Sequence, residues 1–212
     1  MSDSAVQWIF SDQGVCMNEN GIAIQGSDLI QNHISANPID LLSSKMLYSI
    51  PANADSSIQY KISAAQSNSN QLFTILTILK KDQAAWKAEL MFISKSTKTS
   101  LPLDELNARR YEWMRLCNQH NADSLVKELY TPDALYFNHK PLIKGTADII
   151  KEYGYMNQSN YHLALTPLHI EPVSDSLIFE IGQSSGSYGG KYILVWKKTT
   201  GGDWMVYMDS NI

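Results

Sequence analysis

The feature that most constrains the fold is a repeat of about 120 residues within a chain of 212 residues. Three kinds of landmark occur twice: an aspartate before a short apolar run, a glycine before a helical segment, and a tryptophan shortly after a pair of lysines. The pairs are Asp12 and Asp133, Gly26 and Gly145, and Trp86 and Trp204. They are separated by 121, 119 and 118 residues. A nearly constant offset at three separate places predicts two copies of one small domain.

A polar stretch separates the two copies. Residues 94–100 read Ser-Lys-Ser-Thr-Lys-Thr-Ser and contain no large apolar side chain. Such a segment has nothing to bury, so we predict a linker at 95–102 between a first domain at 1–94 and a second at 103–212. The offset places helix 1 of the first copy before residue 1, so we expect this copy to be shortened, without helix 1 and most of helix 2.

The second copy shows helices first and strands afterwards. Residues 103–120 have helical periodicity, with Leu106, Trp113, Leu116 and Cys117 on one apolar stripe. A second helix is predicted over 123–130 with Asn121 or Asp123 as its N-cap, then a strand at 135–138 and a third helix capped by Thr146. Runs with period two at 162–165, 177–181, 192–196 and 204–208 predict a meander, with turns at 172–175, 184–190 and 199–203.

This order predicts the α+β class, with a curved antiparallel sheet wrapped around the helices as a cone with an open mouth. The second half resembles the SnoaL-like and ketosteroid-isomerase-like members of the nuclear transport factor 2-like superfamily. The matching segments are 129–134 (Leu-Tyr-Thr-Pro-Asp-Ala), Gly145, and the closing run 189–198 before Gly202-Asp203-Trp204. The first half resembles a shortened member, close to small bacterial proteins of undescribed function.

The resemblance implies a tandem cystatin-like fold in which a cone surrounds a central pocket, and it leaves open whether the shortened first copy has a pocket. It also implies packing through the sheets, either as a homodimer or as an internal pseudo-dimer. It implies no particular reaction, because the same cone serves isomerases, dehydratases, cyclases and transport adaptors.

Composition narrows the function classes. The net charge of −4 argues against a general nucleic-acid binder, and no run approaches about 18 apolar residues, so no membrane span is expected. Cys16 and Cys117 fall in different halves, and no HxH, HExxH or CxxC spacing occurs, so we expect free or buried thiols and no metal or cofactor. The first five residues, Met-Ser-Asp-Ser-Ala, lack the features of a secretion signal, which favours the cytoplasm and leaves the compartment open.

The usual catalytic base of the isomerase branch is missing. The resemblance implies an aspartate at the end of the first strand, and Asn138 occupies that position here. An amide cannot accept a proton near neutral pH, so no catalytic residue is assigned there. The resemblance also implies an oxyanion-stabilising tyrosine on the first helix. Met114 aligns with that position, and Tyr111, one turn away, is interpreted as a structural or rim tyrosine.

Six residues are predicted to contact a ligand in the second copy: Trp113, Tyr136, Asn138, His162, Trp196 and Asp209. Aromatic walls with an amide as polar handle suit a flat apolar molecule, although the same rings could simply fill the core. Tyr192, Leu194 and Trp196 share one face of a strand, and the pattern does not say whether that face borders the pocket or a dimer. His162 and Asp209 could form an acid–base pair, whereas His139 and His169 are expected to be surface groups or satisfied structural groups.

Three hypotheses for function follow. The leading one is a protein that binds a small, partly apolar molecule in the second cone. The second is an enzyme of the lyase, isomerase or polyketide-cyclase type that uses non-standard acid–base residues, His162 or Asp209. The third is a scaffolding protein in which an internal pseudo-dimer covers the strands of the shortened first copy.

Overall fold

The structure is a computed structural model that describes residues 8–52, 56–83, 85–97, 99–138 and 141–212. The chain divides near residue 98 into two compact units. The last strand of the first unit ends at Lys95 and the first helix of the second begins at Leu103. The predicted linker at 95–102 therefore begins at the last residue of this strand and ends directly before the helix. No described helix is long and apolar enough to cross a membrane.

The second unit begins with helices and ends with a meander of strands. Its elements are α2 (Leu103–Asn118), α3 (Ala122–Leu129), β7 (Tyr130–Phe137), β8 (Ile143–Lys144), α4 (Thr146–Glu152), a 3-10 helix (Tyr153–Asn157), β9 (Leu163–Ser174), β10 (Leu177–Gly186), β11 (Gly190–Lys198) and β12 (Trp204–Ser210). The described residues form a six-stranded sheet in the order β8-β7-β12-β11-β10-β9. Helices followed by this sheet confirm the predicted α+β class and cystatin-like architecture.

The sheet is mixed rather than wholly antiparallel. β7 and β12 lie side by side and run parallel, with Tyr136 opposite Asp209. The other neighbouring pairs are antiparallel. The prediction of a wholly antiparallel sheet was wrong for this one pair. The last strand of the meander, β12, lies beside β7, which comes before the meander in the chain, and the two strands run in the same direction.

Two helices of the second unit begin with different kinds of N-cap residue. The side chain of Asn121 accepts a hydrogen bond of 3.0 Å from the backbone N–H of Ser124, as predicted for an N-cap. The N-cap of α4 is Gly145 rather than the predicted Thr146. Gly145 has a φ of 84°, a conformation that glycine adopts without the steric cost of a Cβ atom.

The second unit's edge strand is longer than its sequence suggests. β9 contains Pro167 and Pro172, and the sequence pattern placed a break or a turn at these prolines. β9 lies at the edge of the sheet, where a missing backbone N–H can face away from the ladder. The register between β9 and β10 shifts near both prolines, which accommodates them in the strand. The turn that follows β9 lies after Ser174.

The core of the second unit contains the predicted helical stripe. Leu106, Trp113, Leu116 and Cys117 are buried, and the Cys117 thiol is free. These side chains pack against the inner face of the sheet in one apolar cluster. The amphipathic pattern of α2 therefore dictates how this helix lies on the sheet.

A buried ion pair crosses this core. Arg110 on α2 donates two hydrogen bonds to the carboxylate of Glu180 on β10, at 2.9 Å to Oε1 and 2.7 Å to Oε2. Glu180 also accepts hydrogen bonds of 2.8 Å from the hydroxyl of Tyr192 and of 2.8 Å from Nε1 of Trp196. Four donors thus compensate a carboxylate that is fully buried.

The first unit repeats the same elements without two helices before its first strand in the described residues. Its elements are β1 (Phe10–Asn18), β2 (Ala23–Gln25), α1 (Ser27–Ala36), β3 (Leu41–Pro51), β4 (Ile58–Ser67), β5 (Leu72–Asp82) and β6 (Ala85–Lys95). The sheet order is β2-β1-β6-β5-β4-β3, again with one parallel pair, β1 and β6. Gly26 precedes α1 with a φ of 102°, as Gly145 precedes α4. The predicted duplication is confirmed by this identical strand order.

We predict that Arg110→Met lowers the free energy of unfolding by about 3–5 kcal/mol, because Glu180 would be left buried without its counter-ion. Arg115→Met is the matched control, since Arg115 lies on the same helix and pairs with Glu112 at the surface. Its loss should cost less than about 1 kcal/mol. Urea denaturation followed by tryptophan fluorescence measures both, and equal midpoints for the two variants would contradict the prediction.

Candidate functional site

An inner chamber lies in the second unit, between the helices and the inner face of the sheet. Its volume is about 30 Å³. Aromatic and aliphatic side chains form most of its wall, and Asp209 is its carboxylate. The lining residues are Trp113, Tyr153, Tyr155, Met156, Tyr161, Leu163, Leu165, Ser184, Tyr188, Tyr192, Leu194, Asp209 and Asn211.

Asp209 on β12 is held by a cluster of tyrosines. The Tyr130 hydroxyl donates a hydrogen bond of 2.8 Å to Oδ2 of Asp209, and the Tyr153 hydroxyl donates to the same oxygen. The two hydroxyls lie 3.0 Å apart, and Nε1 of Trp113 donates to the Tyr130 oxygen at 3.1 Å. The hydrogen-bond donors around this carboxylate are therefore neutral, and no cation is among its partners in the part of the chain that the structure describes.

Burial controls the protonation of this cluster. Desolvation raises the pKa of Asp209 to about 6, although hydrogen bonds from Tyr153, Tyr130 and the backbone of Ser210 act in the opposite direction. Burial and the neighbouring carboxylate raise the pKa of Tyr130 and of Tyr153 well above 10. Near neutral pH, Asp209 thus changes charge while the tyrosines remain donors.

One wall of the chamber depends on a glycine. The ring of Tyr192 lies over Gly182 of β10, where a Cβ atom would come within 2.1 Å of Cζ. The Tyr192 hydroxyl reaches Glu180 from this position. The buried ion pair of the core therefore also fixes a wall of the chamber.

A wider outer basin of about 430 Å³ lies at the mouth of the cone. It is lined by Tyr136, Asn138, Glu152, Tyr155, Tyr161, Ser187, Tyr188 and Asn211. Four of these residues also line the inner chamber, so they form the neck between the two spaces. Within the neck, the rings of Tyr155 and Tyr161 meet edge to face with centroids 5.3 Å apart.

Asn138 supplies a polar group at the basin. Its Nδ2 donates to the hydroxyl of Tyr136 at 2.9 Å, and that hydroxyl donates to Oδ1 of Asn211 at 2.9 Å. Oδ1 of Asn138 is buried and has no hydrogen-bond donor among the residues that the structure describes. Such an acceptor gains stability when a ligand supplies a donor.

Four of the six predicted contact residues belong to this site. Trp113 and Asp209 line the inner chamber, and Tyr136 and Asn138 line the basin. Tyr192 and Leu194 also line the chamber, so the inner face of β11 borders the pocket.

Two predicted contact residues lie elsewhere. Trp196 is buried against Glu180 and lines neither space. His162 is exposed, and its backbone N–H donates to Oγ of Ser187. The suggested pairing of His162 with Asp209 has no support from these positions.

The remaining sequence candidates are accounted for. Tyr111, interpreted from the sequence as a structural or rim tyrosine, is 66% exposed and lines neither the chamber nor the basin. Nε2 of His169 lies 3.1 Å from Oε2 of Glu171, and His139 lies outside the described residues. No group of three or more His, Cys, Asp or Glu side chains that could hold a metal ion occurs in the described ranges.

Sequence reasoning missed Tyr130 as a contact of Asp209. It lies inside the 129–134 segment that carried the family resemblance, where it served only as a fold marker. Tyr153, at the start of the 3-10 helix, was likewise not predicted as a contact of Asp209. Hydrogen-bond partners 56 and 79 residues apart leave no local pattern in the sequence.

Comparison with solved structures finds proteins with this fold. An NTF-2 like protein of unknown function from Shewanella oneidensis is 14% identical, covering 52% of this chain and 98% of that one, with a TM-score of 0.47. A ketosteroid isomerase-like protein from Erwinia carotovora is 14% identical over 54% and 98%, with a TM-score of 0.44. A domain with a cystatin-like fold from Nostoc punctiforme is 12% identical over 54% and 78%, with a TM-score of 0.45.

These structures each correspond to about half of the chain. No family model matches the chain. No curated protein matches it either.

We predict that Asp209→Asn raises the free energy of unfolding of the second unit at pH 8 by about 2–3 kcal/mol. The folded-state pKa of about 6 lies above the ordinary aspartate value of 3.8, so folding costs free energy when Asp209 is ionised. Protonation removes this cost as the pH falls from about 6 to about 4, so the advantage of the variant should shrink over that range. Urea denaturation at several pH values measures it.

Asp148→Asn is the control for that series, because Asp148 is an exposed residue of α4 that pairs with Lys151. Its effect should be small at every pH. A pH-independent difference between wild type and Asp209→Asn would contradict the prediction.

Proposed function

We propose that the second unit binds a small, partly apolar molecule whose body occupies the outer basin and whose hydrogen-bonding group enters the inner chamber. The observation that carries this proposal is a buried carboxylate, Asp209, at the closed end of an aromatic-lined space. Burying a carboxylate away from a counter-ion is costly, as its raised pKa indicates. Perturbed groups of this kind are typical of functional sites.

The volumes of the inner chamber and the outer basin determine how a ligand could lie in the site. About 30 Å³ accommodates two or so water-sized groups, because one water needs roughly 10–15 Å³ on this measure. A ring cannot enter without displacing a side chain. The basin is more than ten times larger and is the space in which a ligand body would lie.

The chemistry of the polar groups sets the class of ligand. Ionised Asp209 and Oδ1 of Asn138 are both acceptors, so the ligand should carry hydroxyl or amine donors. Tyr155, Tyr161 and Tyr188 at the neck favour a flat apolar part between those donors. We therefore propose a flat molecule with donor groups at its two ends.

Native mass spectrometry of the purified chain, before and after denaturation, tests this proposal. We expect a retained molecule that is lost on denaturation. Asn138→Leu should weaken its binding about 5-fold to 100-fold, because Oδ1 of Asn138 would no longer accept from the ligand. His162→Ala is the control, since His162 lines neither space, and it should bind like wild type.

If Asn138→Leu and His162→Ala behave alike against every retained or added ligand, the proposed pose is wrong. The same spectra give the oligomeric mass. The predicted internal pseudo-dimer would leave the chain monomeric, whereas the predicted homodimer would double its mass.

A second candidate function is acid–base catalysis with Asp209 as the proton acceptor. It is favoured by a carboxylate whose pKa lies near neutrality beside tyrosines that stay protonated. A base of this kind could remove a proton from carbon next to a carbonyl, and the tyrosines could donate to the resulting oxyanion. This assigns the base to the last strand instead of the Asn138 position.

Exchange of the α-protons of cyclohexenone in D2O, followed by NMR, tests the catalytic candidate. The rate should rise as the pH passes about 6, because Asp209 then loses its proton. Asp209→Asn should reduce the rate about 10²-fold to 10⁴-fold, while His162→Ala should not. If the wild type shows no exchange above solvent, or Asp209→Asn retains it, this candidate is rejected.

A further inference from the structure

The first unit has a cavity of its own. It lies between α1 and the strands β1 and β6, and its volume is about 110 Å³. Its wall includes Cys16 and Met17 of β1, His33 and Ile34 of α1, and Met91 and Ile93 of β6. The sequence left open whether this copy has a pocket at all.

The floor of this cavity is well packed. Met17 and Met91 are 1% and 2% exposed, and Cys16 is buried beside them. Neighbouring strands hold these side chains in place, because Cys16 pairs with Met91 in the parallel ladder between β1 and β6. The cavity is therefore formed by the strands of the folded unit and not by a surface loop.

The volume matches a small organic molecule. Apolar cavities of about 150 Å³ take up benzene or xenon and stay free of water. A cavity of about 110 Å³ thus suits a group no larger than one six-membered ring. The inner chamber of the second unit, at about 30 Å³, is too small for such a ring.

The electrostatics exclude a charged ligand. The wall contains no Asp, Glu, Lys or Arg among the described residues that line it. Burial raises the pKa of the Cys16 thiol to about 11, so the thiol carries no charge at neutral pH. A charge placed here would lose its hydration without gaining a partner.

A polar edge lies where α1 ends. Nδ1 of His33 and Nδ2 of Asn37 are 3.5 Å apart, and both side chains line the cavity. Asn18 also lines it, but its Oδ1 accepts from the backbone N–H groups of Asn20 and Ile22. A ligand group would therefore meet His33 and Asn37 as its hydrogen-bonding partners.

We infer that the first unit is a second, independent binding site for an uncharged apolar molecule the size of one six-membered ring, with one polar group directed to His33 and Asn37. This goes beyond the function proposed for the second unit. The two sites differ in size and in charge, so the two copies would bind different molecules.

Methionine methyl groups report on the two sites separately. Met17 and Met91 line the cavity of the first unit, Met156 lines the chamber of the second, and Met46 is exposed. We would label the full chain with 13C-methyl methionine and titrate it with p-cresol, which is uncharged at pH 7 because phenols ionise near pH 10. Saturable shifts at Met17 and Met91, with Met46 unchanged, are the expected result.

The variant Ile34→Phe fills the cavity and should weaken p-cresol binding at Met17 and Met91 at least ten-fold. Leu29→Phe adds the same ring to the same helix at an exposed position, 62% accessible, and should bind like wild type. If Ile34→Phe does not fold, intermolecular NOEs between p-cresol and the Met91 methyl group in wild type give the same answer, because Met91 packs in the apolar cluster on the α1 side of the sheet.

The absence of saturable shifts at Met17 and Met91 up to millimolar p-cresol would overturn the inference. So would shifts that persist in folded Ile34→Phe. Shifts at Met156 alone would also overturn it while leaving the proposal for the second unit standing. Shifts at Met17 and Met91 alone would support it whatever the second unit binds.

Discussion

The second unit depends on one buried carboxylate, Glu180. A fully buried charge is tolerated only when hydrogen bonds replace the water it has lost, and Glu180 has four, two of them from Arg110. These bonds join helix α2 to strands β10 and β11. They also hold Tyr192 over Gly182. The same interaction therefore fixes the position of the helix on the sheet and shapes the wall of the chamber.

The second buried carboxylate of this core is treated differently. Asp209 accepts hydrogen bonds from tyrosine hydroxyls, and within the described ranges no arginine pairs with it as Arg110 pairs with Glu180. Its pKa is consequently raised to about 6. One carboxylate therefore contributes to the architecture of the fold, while the other retains an energetic cost that a ligand or a proton can relieve. Such uncompensated costs are usually found at functional sites.

Duplication has given the chain two sheets with the same strand order and two unlike cavities. In the second unit, α2 and α3 lie over the sheet, and aromatic rings reduce the chamber to about 30 Å³. In the described part of the first unit, α1 packs against β1 and β2, and the cavity is larger and free of charged side chains. Identical topology thus says little about what each copy binds.

The sequence by itself determined the duplication, the α+β class and the buried stripe of α2. Those properties depend on local periodicity and on landmarks such as Gly26 and Gly145, whose positive φ favours glycine in both copies. Four of the six predicted contact residues also lie at the site.

Only the tertiary structure placed Asp209 in the chamber. Strict alternation from Trp204 and Val206 would direct Met208 inward and Asp209 outward. The register of β12 against β11 shifts between Val206 and Met208, so Tyr207 is an extra residue that reverses the alternation. The sequence determines which residues a strand contains, but pairing between distant strands decides which of them face the cavity.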